Sequence, residues 1–233
     1  MLKSDWQDAL TDELRFWEMA LCEEGRHWKP ELYRKRMNPE ADLQTELREL
    51  IAAAPGSVVR ILDVGAGPLT TVGKRWEGRL VDITAIDPLA DRYAELLTRL
   101  NIRPPVTTVF GHGEKLLEAF RRDYFDLAHA SNALDHSYDP MGAVEQMLAV
   151  VKPGSHVYLW HFANEGLTEN YQGLHQWNFE THQSDMIIND GHSGHPARSL
   201  MEQFTGRAEV RCESRVEFGK PVVVAILKKL NVA

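Results

Sequence analysis

Asp63-Val64-Gly65-Ala66-Gly67 and Asp87 are the residues of this chain whose types and spacing first point to chemistry. Gly65 and Gly67 lack the side chains that would hold a backbone away from a ligand, and such a loop at the end of a strand implies a nucleotide-like ligand. Asp87 follows about 20 residues further on, where a carboxylate can accept hydrogen bonds from both hydroxyls of a ribose. The competing reading is that Asp87-Pro88 only caps the next helix. A dinucleotide fingerprint needs another glycine at position 70, and Thr70 stands there, which argues against a nicotinamide or flavin oxidoreductase.

A second concentration of chemistry lies later. Trp160-His161-Phe162 is followed by Glu165 and by Tyr171-Gln172-Gly173-Leu174-His175-Gln176-Trp177-Asn178-Phe179. Amide, imidazole and ring side chains in one run suit hydrogen bonding and stacking against a hydroxyl-rich or heterocyclic substrate better than a long lipid tail. Tyr171, His175, Gln176, Trp177 and Asn178 are the candidate substrate-binding residues; alternatively, Trp177 and Phe179 only anchor the segment to the core. For a hydroxyl substrate the candidate general bases are His175 and His161, with His136 third, although His136 also suits a role in orienting its own loop. His182, His192 and His195, with Asp185 and Asp190, match no recognised ligand spacing, so they read as polar loop and no metal is expected. Arg26, His27, Trp28, Lys29, Tyr33, Arg34, Lys35 and Arg36 place five cations within eleven residues. They form either a solvated face or a local anion site for a phosphate or carboxylate, with Tyr33 and Arg36 as its candidates.

These residues must be held by the elements between them. Ser4 and Gln7 suit a capping box, and Trp6, Leu10, Leu14, Trp17 and Leu21 recur at helical spacing. The pattern breaks over 25–39, and a second helical stretch from about 40 to 54 ends at Pro55-Gly56, so 1–55 read as a helical cap. From residue 56 a Rossmann-like domain runs to 233. Strand patterns over 58–64, 80–86, 106–110, 125–129 and 156–160 alternate with helical ones at about 69–76, 89–100, 114–120 and 140–151. In the last of these helices, Asp139-Pro140 reads as cap and first helical position. The fold class expected is α/β: a doubly wound, mainly parallel seven-stranded sheet with an antiparallel terminal hairpin near 208–216 and 221–228. Residues 162–193 read as a substrate-binding insertion, mobile in the free protein, with a helix opening near Pro196.

Composition narrows the setting. The chain has 233 residues, 43% of them hydrophobic, enough for one main core. Its 26 basic and 34 acidic residues give a net charge of −8, which disfavours nucleic acid and anionic membrane as partners. Cys22 and Cys212 make neither a disulfide framework nor a thiolate cluster. No signal-peptide pattern opens the chain and no apolar run is long enough for a bilayer, so a cytoplasmic protein, monomer or homodimer, is expected.

Taken with Gly111-His112-Gly113-Glu114-Lys115-Leu116, Phe125-Asp126-Leu127, Ser131-Asn132-Ala133-Leu134-Asp135-His136 and Val151-Lys152-Pro153-Gly154, the glycine loop and Asp87 resemble those of the class I S-adenosylmethionine-dependent methyltransferases, especially the ubiquinone- and menaquinone-type group. The resemblance covers about residues 58–161. It implies S-adenosyl-L-methionine as cofactor, with Gly65, Ala66 and Gly67 under its methionine part, Asp63 at the amino end and Asp87 with Pro88 at the ribose. Gly113 and Glu114 would lie near the adenine, and Ser131, Asn132 and His136 near the methionyl portion and the transfer site. Tyr33 and Arg36 are candidates for the cofactor carboxylate. His112 stands where many relatives carry an aspartate, and Leu69 where a third glycine is common. The function implied is methyl transfer to a small polar acceptor, foremost a hydroxyl of a sugar or other polyhydroxylated metabolite. The alternatives are N-methylation of a small amine and a non-catalytic, cofactor-binding regulatory protein.

Overall fold

The computed structural model describes residues 3–25, 29–191 and 196–231. Helix α1 (Lys3–Leu21) turns one apolar stripe inward, with Trp6, Trp17, Ala20 and Leu21 buried. Ser4 lies inside this helix, not at its cap. Within the stretch expected to break the pattern, α2 (Pro30–Met37) forms with proline in its first turn, where the missing N–H costs nothing. The helix expected over 40–54 reduces to α3 (Thr45–Arg48) and flanking turns.

Among the described residues the strands are β1 (Val58–Val64), β2 (Leu80–Asp87), β3 (Thr108–Phe110), β4 (Phe125–Ser131), β5 (Val151–Phe162), β6 (Asn178–His182), β7 (Asp185–Asn189), β8 (Arg198–Ser199), β9 (Ala208–Glu217) and β10 (Lys220–Lys229). Seven form one sheet in the order β3-β2-β1-β4-β5-β10-β9. The first five neighbours pair in parallel, and β10 runs antiparallel to both β5 and β9. The helices between strands are α4 (Ala90–Arg99), α5 (Leu116–Ala119) and α6 (Pro140–Val150), the last capped by Asp139, which accepts from the Gly142 N–H at 3.1 Å.

Both faces of the sheet are covered, as parallel pairing requires. On one, Leu62, Val64, Ala128, Ala130, Val157 and Leu159 pack against Met141, Val144 and Met147 of α6. On the other, Val59, Ile61, Leu127 and Val224 meet Leu43, Leu47, Leu50, Ile51 and Val72.

The helix expected over 69–76 does not form. The β1–β2 crossover is an extended loop held by the 41–44 segment: Leu43 N–H donates to the Arg75 carbonyl (2.7 Å), Lys74 and Arg75 N–H to the Ala41 carbonyl (2.8 and 3.1 Å), and Gly73 N–H to Gln44 Oε1 (3.1 Å). Leu69 and Val72 are buried all the same, so their spacing reports burial and not helix. Residues 162–191 also hold regular elements where the sequence reads as polar loop. After α7 (Glu165–Thr168), β6, β7 and β8 form a small antiparallel sheet whose Phe179, Met186 and Ile188 lie in the same core as α6. The helix expected from Pro196 starts later, as α8 (Leu200–Gln203), with Ser199 accepting from the Glu202 N–H at 3.0 Å.

A Cβ at position 73 would run into the backbone carbonyl of Asp42. Gly73→Ala is therefore expected to lower stability by about 1–3 kcal/mol, read as a lower urea midpoint at unchanged slope; an unchanged midpoint would contradict this packing.

Candidate active site

The carboxyl edge of the sheet is shaped by two buried carboxyls. Gly65 and Gly67 take positive φ (+67° and +61°), and the Gly65 and Ala66 N–H groups donate to the Ile86 carbonyl at 2.9 and 3.0 Å. Asp87 receives the Gly67 N–H at 3.1 Å and the Leu89 N–H at 2.9 Å, so it closes the glycine loop and holds the turn that precedes α4, without capping the helix itself. Burial pushes its carboxyl up to about 7, with those two N–H groups opposing. Asp63 is tied on one oxygen to His129 Nδ1 (2.7 Å) and on the other to the Thr70 hydroxyl. Thr70 thus has a positive role where a dinucleotide loop would have glycine. Arg36 donates to the Leu69 carbonyl at 3.0 Å and lies over the Trp17 ring; burial lowers its pKa to about 10 against the charge of Asp63.

Above this edge lies a cavity of about 760 Å³ between the sheet and the N-terminal helices. Its walls include Asp63, Gly65, Ala66, Gly67, Asp87, Pro88, Gly113, Glu114, Ser131, Asn132, His136, His175 and Arg36. Helix α1 forms the roof. Trp17 sits against Gly67, where a Cβ would meet its ring at 2.7 Å, and Trp6 Nε1 donates to the His136 carbonyl at 2.5 Å.

At one end of the cavity Asp135, His136 and His175 converge. His175 Nδ1 lies 2.9 Å from Asp135 Oδ2 and 3.1 Å from His136 Nε2, which is 3.3 Å from the same carboxylate oxygen. Burial opposes ionisation of Asp135, but its histidine neighbours hold its carboxyl well below the usual range. Burial likewise works against the His175 imidazolium, and the bond and charge of Asp135 outweigh it and raise its pKa. Glu13 Oε2 lies 3.6 Å from His136 Nδ1, and Glu165 lines the same chamber with its pKa raised by burial and by Asp135.

Other sequence-predicted residues stand elsewhere. His161 is fully buried on the opposite side of β5, stacked on Phe179, with neither ring nitrogen hydrogen-bonded among the described residues. Burial lowers its pKa to about 4. It is not on the cavity wall and cannot act there as a base. Of the five substrate-binding candidates, only His175 lines the cavity. Gln176 Nε2 donates to the Tyr171 and Gly173 carbonyls, Trp177 Nε1 to the Ser137 carbonyl at 2.7 Å, and Asn178 Nδ2 to the Tyr171 hydroxyl and Asn189. These four side chains build the insertion, and Gln172, Gly173 and Leu174 join His175 on the wall instead. Tyr33 is buried against Leu89 and Tyr93 in the packing beneath α1, off the cavity. Arg26, His27, Trp28, His192 and His195 lie outside the described residues. Sequence reasoning missed Glu13, Trp6 and Trp17 because nothing in a lone amphipathic helix says what it covers.

Residues 33–206 match the model of a family described as a methyltransferase domain. The chain belongs to that family. It is an S-adenosylmethionine-dependent methyltransferase. Phosphoethanolamine N-methyltransferase 2 of Haemonchus contortus, solved with S-adenosyl-L-methionine, shares the fold at 11% identity over 80% of this chain and 52% of that one, with a TM-score of 0.53. The same enzyme with phosphomonomethylethanolamine and S-adenosylhomocysteine aligns at 10% identity, the same coverage and a TM-score of 0.52. A methyltransferase of Methanosarcina mazei aligns at 20% identity over 82% of this chain and all of that one, with a TM-score of 0.46. A search of curated proteins gives no match.

Because the folded Asp87 holds its proton more tightly than the unfolded chain, its stabilising contribution is complete below the ordinary carboxyl value of 3.8 and fades as pH rises through about 7. The wild type should therefore lose stability relative to Asp87→Asn between about pH 4 and 7, measured as urea midpoints; parallel pH profiles would contradict it.

Proposed function

We propose that this methyltransferase acts on a hydroxyl of a small polar acceptor, a sugar or other polyhydroxylated metabolite. The observation that carries the reading is the pair His136 and His175 on the cavity wall, joined by the buried Asp135 behind them, beside Glu165 and Gln172. A chamber with imidazole, carboxylate and amide on one wall and Trp6, Phe16 and Trp17 on another matches a hydroxyl-bearing ring better than an aliphatic chain.

Residues at the carboxyl edge fit the cofactor. S-adenosylmethionine, when bound, supplies a methyl carbon on a sulfonium, a leaving group that needs little help from the protein. In this reading the side-chain-free loop of Gly65 and Gly67 allows close backbone approach, and the Asp87 carboxylate accepts from the ribose hydroxyls. Pro88, Gly113 and Glu114 flank the adenine, and Ala66, Ser131 and Asn132 flank the methionyl part. Arg36, one of the cations on the cavity wall with Lys29 and Lys35, is suited to its carboxylate. Asp63, with both oxygens engaged, shapes the loop. Residues 1–55 serve as the cap that excludes water, and 162–193 as the insertion that brings His175 to the acceptor. His175 and His136 stand where the reacting hydroxyl arrives, and their cluster with Asp135 eases removal of its proton.

His175→Gln is expected to lower kcat by at least about 100-fold, while S-adenosylhomocysteine affinity stays within about two-fold by calorimetry. The reaction is followed with methyl-labelled cofactor against sugars, nucleotide-sugars and small amines. Transfer to amines alone, with His175→Gln fully active, would overturn the hydroxyl reading.

A further inference from the structure

The Asp135, His136 and His175 contacts form a closed triangle of 2.9, 3.1 and 3.3 Å between three atoms, Oδ2, Nε2 and Nδ1. A hydrogen bond needs one proton on each line, and the carboxylate has none to give. A proton on His175 Nδ1 that serves Asp135 leaves the His136 Nε2 lone pair facing the same oxygen. Protons on both nitrogens set two N–H groups against each other. No protonation pattern satisfies all three edges.

A cation at the centre satisfies them together. Nitrogen and oxygen ligands about 2.0–2.1 Å from a divalent metal lie about 2.9–3.4 Å from one another at octahedral or tetrahedral angles, the range these three atoms already occupy. Two further observations point the same way. Asp135 is 1% exposed, and its second oxygen, Oδ1, has no hydrogen-bond partner among the described residues. A buried carboxylate atom without a partner is costly, and a metal that Asp135 chelates through both oxygens removes the cost. Glu13 also stands where metal-binding histidines commonly have a carboxylate, 3.6 Å behind the far ring nitrogen of His136.

We propose that Asp135, His136 and His175 bind a divalent first-row transition-metal ion at the acceptor end of the cavity. Two imidazoles and one carboxylate, with remaining positions open, favour zinc, cobalt or iron(II) over magnesium or calcium, whose preferred ligands are all oxygen. The linear sequence does not reveal the set, because His175 is carried in from the insertion and meets Asp135 only in the fold. That the open positions receive the acceptor's hydroxyl oxygen rests on the methyl-transfer reading of the cavity; the metal site itself does not.

The test uses the full chain, stripped with a chelator, and cobalt(II) as the probe. One equivalent is expected to bind with visible ligand-field absorption, zinc is expected to displace it, and millimolar magnesium is not. His175→Ala should abolish stoichiometric uptake, and Glu13→Gln should weaken it by about 10- to 100-fold. S-adenosylhomocysteine binding is measured on every sample as proof of folding. Protein that binds S-adenosylhomocysteine but takes up no cobalt, or takes it up equally in wild type and His175→Ala, overturns the metal site and leaves methyl transfer standing. Cobalt uptake without S-adenosylhomocysteine binding supports the metal site and removes the reading of the cavity. An adventitious surface ion would survive His175→Ala and counts against the site.

Discussion

A carboxyl group taken out of water needs hydrogen bonds on both oxygens, and at the end of β1 that need fixes the geometry of the site. Asp63 is 2% exposed. One oxygen holds His129 of β4, itself stacked on Tyr158 of β5, so three adjacent strands share one register at their carboxyl ends. The other holds Thr70, whose hydroxyl also accepts the Val72 N–H at 3.0 Å, and this pins the crossover in its extended form. Through the crossover the constraint reaches the N-terminal region: Arg36 donates to Leu69, Lys74 donates to the Arg36 carbonyl, and Gln44 binds the Thr71 carbonyl and the Gly73 N–H.

The consequence is a carboxyl edge whose loop and roof are set by the same network. With no helix after β1, the 41–44 segment takes its place against the sheet, and α1 and α2 are held directly over the glycine loop. The insertion closes the other side by a similar route. Trp177 is fastened to Ser137 and Phe179 to the core, which carries residues 172–175 back over the end of β4. Positioning is what methyl transfer from a sulfonium demands of a protein, more than strong acid or base catalysis. A cavity walled by three separately anchored segments supplies it.

The sheet and Asp87 were legible because their signals are local: β-branched runs, glycines at a strand end, and an acid one strand later. The crossover was misread because Leu69 and Val72 are buried at helix-like spacing, whereas the polar bonds that replace a helix come from residues 41–44. His161 was separable in principle. It shares strand parity with Val157 and Leu159, which face the α6 core, while Trp160 and Phe162 face the other way. Trp177 and Asn178 looked like ligand-facing residues because rings and amides serve equally well as internal fasteners. The meeting of Asp135 with His175 was not legible, since it depends on how the insertion folds back and no local pattern encodes that.

If cofactor and acceptor meet beneath α1 at the carboxyl edge, amide hydrogen exchange with and without S-adenosylhomocysteine reports it, because exchange slows where the ligand orders the backbone. Added protection is expected at 63–67, 87–89, 113–114 and 131–137, and in α1. Ligand binding that protects the first four segments and leaves α1 unchanged, or protects none of them, would contradict it.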